Sequence, residues 1–371
     1  MGTSLDPDAL ALLRTLGRHT KTRAELTEST GWSRNTVATR LDALVKKHWV
    51  IDADDAKGAR GRPSTRYQLN PSAALVFVAS FGWDQVTTAI CTLQGDILVF
   101  HVSEHDLGTG LDLAVDMAQD LLEQLSKDPA VAGSRIAVAV VGVPSPVANP
   151  TRLPTWRHSV ASTFSDRLGI PALIENDVNL MALGTREWDF PFARSLVYIK
   201  VATGIGAGIV LSGHLHRGLQ GLAGEIGHVP IPRASDIPCA CGNTGCLATI
   251  AANQQIIDQL NRDGRPVSSL DDVQDLVTAG DPEAVGALRQ AGRDIAQALT
   301  GIVTGLAPEL LVFGGRMTTI GDHLITGVRE SLYRHTLPSL STHLRIERTP
   351  NQQHAAIRGA TVLAFEQLFQ S

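Results

Sequence analysis

Gly224-Glu225-Ile226-Gly227-His228, followed from position 239 by Cys239-Ala240-Cys241-Gly242-Asn243-Thr244-Gly245-Cys246, is the stretch that narrows the fold most sharply. Three of the four cysteines in 371 residues fall in that second segment. Three thiolates and one imidazole make a closed tetrahedral set for a structural zinc ion. The intervening glycines allow the tight turns that bring the thiols onto one point. His228, Cys239, Cys241 and Cys246 are therefore the expected metal ligands, and Zn2+ the expected cofactor. The plainer alternative is three small buried cysteines beside an unrelated histidine, and the clustering of so scarce a residue argues against it. A disulfide framework fails on numbers, because four cysteines cannot staple a chain of this length.

Length and composition set the surroundings of that cluster. A chain of 371 residues has room for two or three domains with full apolar cores. The opening Met1-Gly-Thr-Ser-Leu-Asp6-Pro-Asp8 is acidic where a signal peptide would be basic. Apolar runs such as Ile136-Ala-Val-Ala-Val-Val141 fall short of the ~20 residues that cross a bilayer. The expectation is a cytoplasmic protein with reduced thiols and no membrane partner. The net charge of −5 hides an asymmetry: residues 1–70 hold 12 Lys and Arg against 8 Asp and Glu, the remainder 20 against 29. A basic head on an acidic body suggests that only the head meets a polyanion.

The head has its own pattern. Leu10, Leu12, Leu13 and Leu16 form the apolar stripe of a first helix that starts near Pro7. A second helix fits Arg23 to Thr30, Gly31 breaks it, and Ser33 is a good N-cap for a third helix reaching about Lys47. Val37, Leu41, Leu44 and Val45 would face inward on that third helix. Ser33, Arg34, Asn35, Thr36, Thr39 and Arg40 are left at its N-terminal end and on its outer face. Helix, glycine turn and a second helix with a cationic outer face is the helix-turn-helix pattern, whose second helix enters the major groove. Trp49-Val-Ile51 and Arg66-Tyr-Gln-Leu69 read as strands flanking a wing. The wing carries Gly58-Ala-Arg60-Gly-Arg62-Pro63, and its extended, doubly cationic Arg60 and Arg62 suit a narrow minor groove. Double-stranded operator DNA is the partner this head implies.

Two β-rich starts organise the remaining three hundred residues. Leu75-Val-Phe-Val78, Val86 to Leu93 and Ile97 to His101 make a meander, followed by a helix from about Leu111 to Ser126 and a buried strand from Ile136 to Val141. A second, similar unit opens at Leu196-Val-Tyr-Ile-Lys-Val201 with Gly204-Ile-Gly206-Ala-Gly208. Two related α/β halves around a cleft fit the sugar-kinase, actin and heat-shock ATPase architecture. The glycines after each first strand either admit a phosphate or mark a tight hairpin.

From about residue 76 to the end the chain resembles the ROK family (repressor, open reading frame, kinase), and its winged head resembles the regulator branch. Four segments carry the resemblance: Glu175-Asn176-Asp177-Val-Asn179; Thr203-Gly204-Ile-Gly206-Ala-Gly208; Gly224-Glu225-Ile-Gly-His228 with the cysteine cluster; and Pro308-Glu309-Leu-Leu-Val-Phe-Gly314-Gly315. The resemblance implies a winged helix-turn-helix over 1–72 and a two-lobed ROK domain over 76–371. Lobe one would cover about 76–194 plus a C-terminal helix at 356–371, and lobe two about 195–355 with the zinc site. It places Asp177 where the family's kinases hold the general base for a sugar hydroxyl, a role a carboxylate in hydrogen-bond reach can fill. It places Asn176, Asp177, Glu225 and His228 among the ligand-binding residues. His228 would serve metal and ligand together by using one ring nitrogen for each. Taken as residues alone, Asn176-Asp177 also reads as a loop turn whose side chains bond nearby backbone.

The departures from the family pattern decide the functional expectation. Kinases of the family place Asp-x-Gly-Gly-Thr at the first strand turn, where this chain has Ser80-Phe81-Gly82-Trp83-Asp84. The acid, a glycine and the threonine are gone, and an indole stands where backbone must approach phosphate. Phosphoryl transfer rests on positioning and charge neutralisation, so no enzyme activity is expected and Asp177 is a vestigial base. Ala248 replaces the glutamate that commonly follows Cys-Leu, and Pro144-Ser145-Pro146 replaces Pro-Gly-Pro. The expected function is a sugar-responsive transcriptional regulator, a repressor, bound by a sugar or sugar phosphate and acting as a homodimer or homotetramer. An ATP-dependent sugar kinase with an appended DNA-binding head is the alternative. A constitutive DNA-binding protein whose ROK domain is only a scaffold is the third.

Overall fold

A computed structural model describes residues 6–53, 65–83, 85–104, 111–144 and 156–369. The Asp6 side chain accepts the Ala9 N–H and starts α1 (Pro7–Leu16), where proline at the first position costs no hydrogen bond. After β1 (Lys21–Thr22), Thr22 and Glu25 form a reciprocal capping box that starts α2 (Arg23–Thr30). Gly31 closes α2 in the left-handed region at φ 68°, and Ser33 caps α3 (Arg34–Lys46) through the Thr36 N–H. Leu12, Leu13, Leu16, Leu26, Val37, Leu41 and Leu44 are buried, while Val45 is only half-buried. The strands β2 (Val50–Ala53) and β3 (Arg66–Leu69) pair antiparallel, with β1 on the far side of β3. Three helices and a β1-β3-β2 sheet make a winged helix-turn-helix. The segment 54–64, with Arg60 and Arg62, lies outside the described residues.

The first large sheet uses β4 (Leu75–Phe81), β5 (Gln85–Thr92), β6 (Ile97–Glu104), β7 (Ile136–Val143) and β8 (Ala172–Asn176), in the order β6-β5-β4-β7-β8. Every residue of β4 is buried, as a central strand with an all-apolar run requires. The crossover helices are α4 (Leu111–Leu125) and α5 (Trp156–Leu168). The chain then enters α6 (Asp177–Gly184), which continues into a π-helical turn at Thr185–Asp189.

The second sheet repeats the first. Its strands are β9 (Leu196–Val201), β10 (Ile205–Leu211), β11 (His214–Leu215), β12 (Leu310–Gly314) and β13 (Arg345–Arg348), ordered β11-β10-β9-β12-β13. Each sheet therefore runs third, second, first, fourth, fifth, with an antiparallel hairpin first and a parallel crossover strand next. Between β11 and β12 come α7 (Ala248–Ala251), α8 (Asn253–Arg262), α9 (Leu270–Thr278) and α10 (Pro282–Leu306); α11 (His323–His335) and α12 (Pro338–Ser341) precede β13, and α13 (Gln352–Phe369) follows it. Val197, Ile199 and Val201 of β9 join the core shared with α10 and α11, while Leu196 and Tyr198 join a second core with Val178 and Ala182 of α6. Period-2 alternation on one strand thus serves both faces of the sheet.

The described chain divides into two compact units, residues 6–142 with 156–175 and 360–369, and residues 143–144 with 176–359. The division falls at 175/176, with α6 packed on β9 and β10 of the second unit. It also falls inside α13. Close approach of α6 explains one glycine of this second unit: a Cβ on Gly208 would overlap the Ala182 side chain and the Val178 carbonyl. Gly204, Gly206 and Gly208 accordingly belong to the β9–β10 hairpin, where Gly208 lets α6 sit against the sheet. Among the described residues no helix is long and apolar enough to cross a membrane.

Candidate functional site

Gly224 opens the first of two loops that build the corner of one histidine and three cysteines. It sits at φ 92°, and a Cβ there would run into the Ala207 carbonyl of β10. Gly227 likewise meets the Ile205 carbonyl, so both glycines press the Glu225–His228 loop onto β10. Ile226–His228 forms a 3-10 turn, the bridge Pro230–Cys246 brings the cysteine loop back beside it, and the bridge Pro238–Thr244 closes that loop on itself. One ligand atom from each of His228, Cys239, Cys241 and Cys246 lies within 4.8 Å of the others. His228 Nδ1 is 3.7 Å from Cys239 Sγ, and Cys241 Sγ is 3.7 Å from Cys246 Sγ. A tetrahedral ion with ~2.3 Å bonds to sulfur needs ligand atoms ~3.8 Å apart, so the four side chains fit a metal ion. Because Nδ1 faces the thiols, Nε2 is the His228 nitrogen left for other partners. Burial and the neighbouring Cys239 and Cys241 sulfurs push the Cys246 thiol up to about 12, whereas the Asn243 backbone N–H draws the Cys241 thiol down.

At the other candidate position, Asn176 is the N-cap of α6: its Oδ1 accepts the Val178 and Asn179 N–H groups at 2.9 and 3.1 Å. Asp177 is buried, and its Oδ1 accepts the Val178 N–H at 2.7 Å. Both side chains thus make the local backbone bonds that a turn reading anticipates. The second oxygen of Asp177 accepts from Lys200 Nζ at 2.5 Å. Lys200 lies on the same face of β9 as Tyr198, near the strand's C-terminal end, and its sheet neighbours are Gly206 on β10 and Gly314 on β12. Among the described residues no hydrogen bond or ion pair joins Glu225 to Asn176 or Asp177.

The first strand turn contrasts with this polar pair. Ser80 and Phe81 are buried inside β4, and the Gly82 N–H donates to the Gln85 carbonyl at 2.7 Å in a tight hairpin. Trp83 stands at its tip, over a third exposed, and Asp84 lies outside the described residues. Ala248 starts α7; Ser145 and Pro146 lie outside the described residues. In the head, Arg34, Asn35, Thr36 and Thr39 are exposed, and Ser33 is exposed while capping α3. Arg40 differs, since it pairs with Asp6 at 3.3 Å and Asp8 at 2.6 Å and ties α3 to the start of α1.

Two features escape the motif reading. Lys200 is a lone cation in the otherwise apolar run Leu196-Val-Tyr-Ile-Lys-Val201, and a lysine amid buried strand residues needs a partner. Asp294 of α10 is wholly buried and holds Arg233 of the metal loop, with Gln290 donating to it at 2.9 Å. Nothing in the helical spacing around Asp294 marks it.

Two repeated sheets of one topology, a winged helix-turn-helix and a corner of one histidine and three cysteines define a DNA-binding-type head on a sugar-kinase-like body. Residues 80–367 match the ROK family, and the chain belongs to that family. It is 24% identical over 354 residues to the xylose repressor of Bacillus spizizenii, covering 93% of this chain and 91% of that one. A solved ROK family transcriptional regulator, a homologue of the E. coli Mlc protein, superposes with a TM-score of 0.77 at 21% identity over 97% of this chain and 98% of its own. The ROK hexokinase of Thermus thermophilus superposes at 0.63 and 25% identity, covering 79% of this chain and 99% of its own.

Proposed function

We propose that this protein is a sugar-responsive transcriptional repressor that binds double-stranded operator DNA and catalyses no reaction. The observation that carries this reading is coverage. The hexokinase is used up by 79% of this chain, whereas the likeness to the xylose repressor extends over 93%, too much to leave out the head. Ser33, Arg34, Asn35, Thr36 and Thr39 present the groups of α3 to a major groove, with Arg40 setting the angle of that helix, and Arg60 and Arg62 serve the wing. Asn176, Asp177, Glu225 and His228 serve a sugar or sugar derivative. A structural zinc on His228, Cys239, Cys241 and Cys246 would hold the Glu225–His228 loop in place. The chain works as a homodimer or homotetramer in the cytoplasm, with two heads on two half-sites about one helical turn, ~34 Å, or a multiple apart. A ligand coupling of ~1–3 kcal/mol changes operator affinity about 5- to 150-fold, enough for induction.

Kinase chemistry is disfavoured twice, by the hairpin that replaces the phosphate-cradling turn and by the ion pair on Asp177. The deciding experiment selects genomic fragments with purified protein and measures affinity for the recovered sequence against scrambled DNA. Equal affinity for both, unchanged by Arg34→Ala and Arg60→Ala, would defeat the repressor reading. Sugar-dependent ADP release that disappears in Asp177→Asn would instead establish the kinase.

A further inference from the structure

At the α6 end of the site, the group that faces outward is a cation. Asp177 keeps 3% of its side chain exposed and has both oxygens engaged, one by the Val178 N–H and one by Lys200. Lys200 keeps 17% of its side chain exposed, and among the described residues its ammonium donates to Asp177 alone. An ammonium has three N–H donors, so two remain to be satisfied from outside. Its neighbours on the sheet are Gly206 and Gly314, which bring no side chains of their own; the Tyr198 hydroxyl lies over Gly314 and Val178 faces Gly206. Lys200 stands toward the C-terminal end of the parallel strands β9 and β12, the end at which open α/β sheets receive ligands. The Asn176 Oδ1, at the start of α6, is spent on capping that helix. What a ligand meets at this end of the site is the Lys200 ammonium, with its counter-charge buried behind.

We propose that Lys200 makes this site a reader of anionic carbohydrates, its ammonium bridging the buried Asp177 carboxylate and an oxyanion of the ligand, a phosphate or a carboxylate. The inference rests on the effector half of the proposed function and names the class of that effector. The arrangement is an anion–ammonium–anion line: Asp177 fixes Lys200 in place and offsets its desolvation, and the incoming oxyanion takes the free N–H groups. Charge-assisted bonds of this kind are about twice as strong as neutral ones. A neutral sugar hydroxyl would engage the same ammonium with a weaker acceptor. The same pairing withholds Asp177 from a substrate hydroxyl, so one lysine both closes the proton-abstraction route and opens an anion contact.

The test is calorimetric titration of the intact protein with D-glucose, D-xylose and N-acetyl-D-glucosamine, with the 6-phosphates of the two hexoses, with D-glucuronate and D-xylonate, and with inorganic phosphate. Expected is at least ~10-fold tighter binding of a phosphorylated or carboxylated sugar than of its neutral parent. The two anionic arms tell which oxyanion is read. Lys200→Met should erase that ratio and Lys200→Arg should keep most of it. Because Lys200→Met strands a buried carboxylate, the double variant Lys200→Met with Asp177→Asn supplies a neutral, foldable control that should also lack the ratio. A neutral sugar binding as tightly as its anionic form, a ratio that survives in the double variant, or inorganic phosphate binding as well as any sugar phosphate overturns the proposal. Absence of binding by every probe overturns it together with the effector half of the function, while operator binding, measured separately, stands or falls on its own.

Discussion

Cys246 has no exposed surface, and a thiol held up to about 12 is protonated throughout the physiological range in the metal-free chain. A metal ion must therefore displace that proton, so binding strengthens as pH rises. Titrating zinc into metal-free protein in buffers of different ionisation enthalpy should reveal proton release, and chelation should strip the ion faster at pH ~5.5 than at pH ~8. A pH-independent affinity would mean that the thiols are not the ligands. The metal-free fold has its own pH limit. Its Cys246 lies above the ordinary thiol value of 9.0, so the unfolded chain ionises first and the metal-free fold loses stability as pH climbs from there toward about 12. This corner was legible in the sequence because cysteine is scarce and its spacing is chemically restrictive. Lys200 was not, because its meaning depends on which face of β9 it occupies and on α6 starting at that point.

At the level of elements, packing is set by glycines and by one buried charge. A Cβ on Gly184 would overlap the Ala355 carbonyl and one on Gly359 the Leu180 carbonyl, so α6 and α13 touch backbone to backbone. Gly359→Ala should cost ~1–3 kcal/mol, read as a lowered denaturation midpoint, because neither helix can retreat without disturbing its core. The metal loop is tied to α10 through Arg233 and the fully buried Asp294. Arg233→Ala leaves that carboxylate with Gln290 as its remaining described partner, and a loss of roughly 3 kcal/mol is expected in denaturant unfolding. Replacing both, with Asp294→Leu, should recover much of it; an Arg233→Ala protein of unchanged stability would show the pair to be idle. Element types follow from the sequence with little ambiguity here: α2 carries its capping box, α3 its serine cap, and β4 its apolar run. The division of the body is less legible. The segment from Asn176 to Asp189 follows the first sheet in the chain but packs on the second, and local periodicity carries no information about that choice.

Across the whole molecule the charge is distributed against non-specific association. Residues 1–70 carry an excess of four positive charges and the rest an excess of nine negative ones. A duplex is therefore repelled by most of the surface and attracted by the head, so the field orients encounter before any base is read. If each head neutralises ~4 phosphates and two heads bind one operator, ~8 condensed counterions are displaced, and log K should fall with log salt at a slope near −7. Arg34→Ala in each protomer of a dimer should flatten that slope by ~2 if Arg34 lies on phosphate. If it lies on a base edge, the same substitution should relax sequence preference at one position of each half-site and leave the slope less changed. Arg40→Ala should behave differently from both, because Arg40 is paired with Asp6 and Asp8. Its loss frees the start of α1 from α3, so the head should melt earlier. A temperature series of fluorescence anisotropy on operator and scrambled duplexes, run from ~50 to ~200 mM salt, separates the three patterns. A slope near zero for wild type would remove the electrostatic footing of DNA binding altogether, since an acidic body leaves the head as the protein's net-positive region.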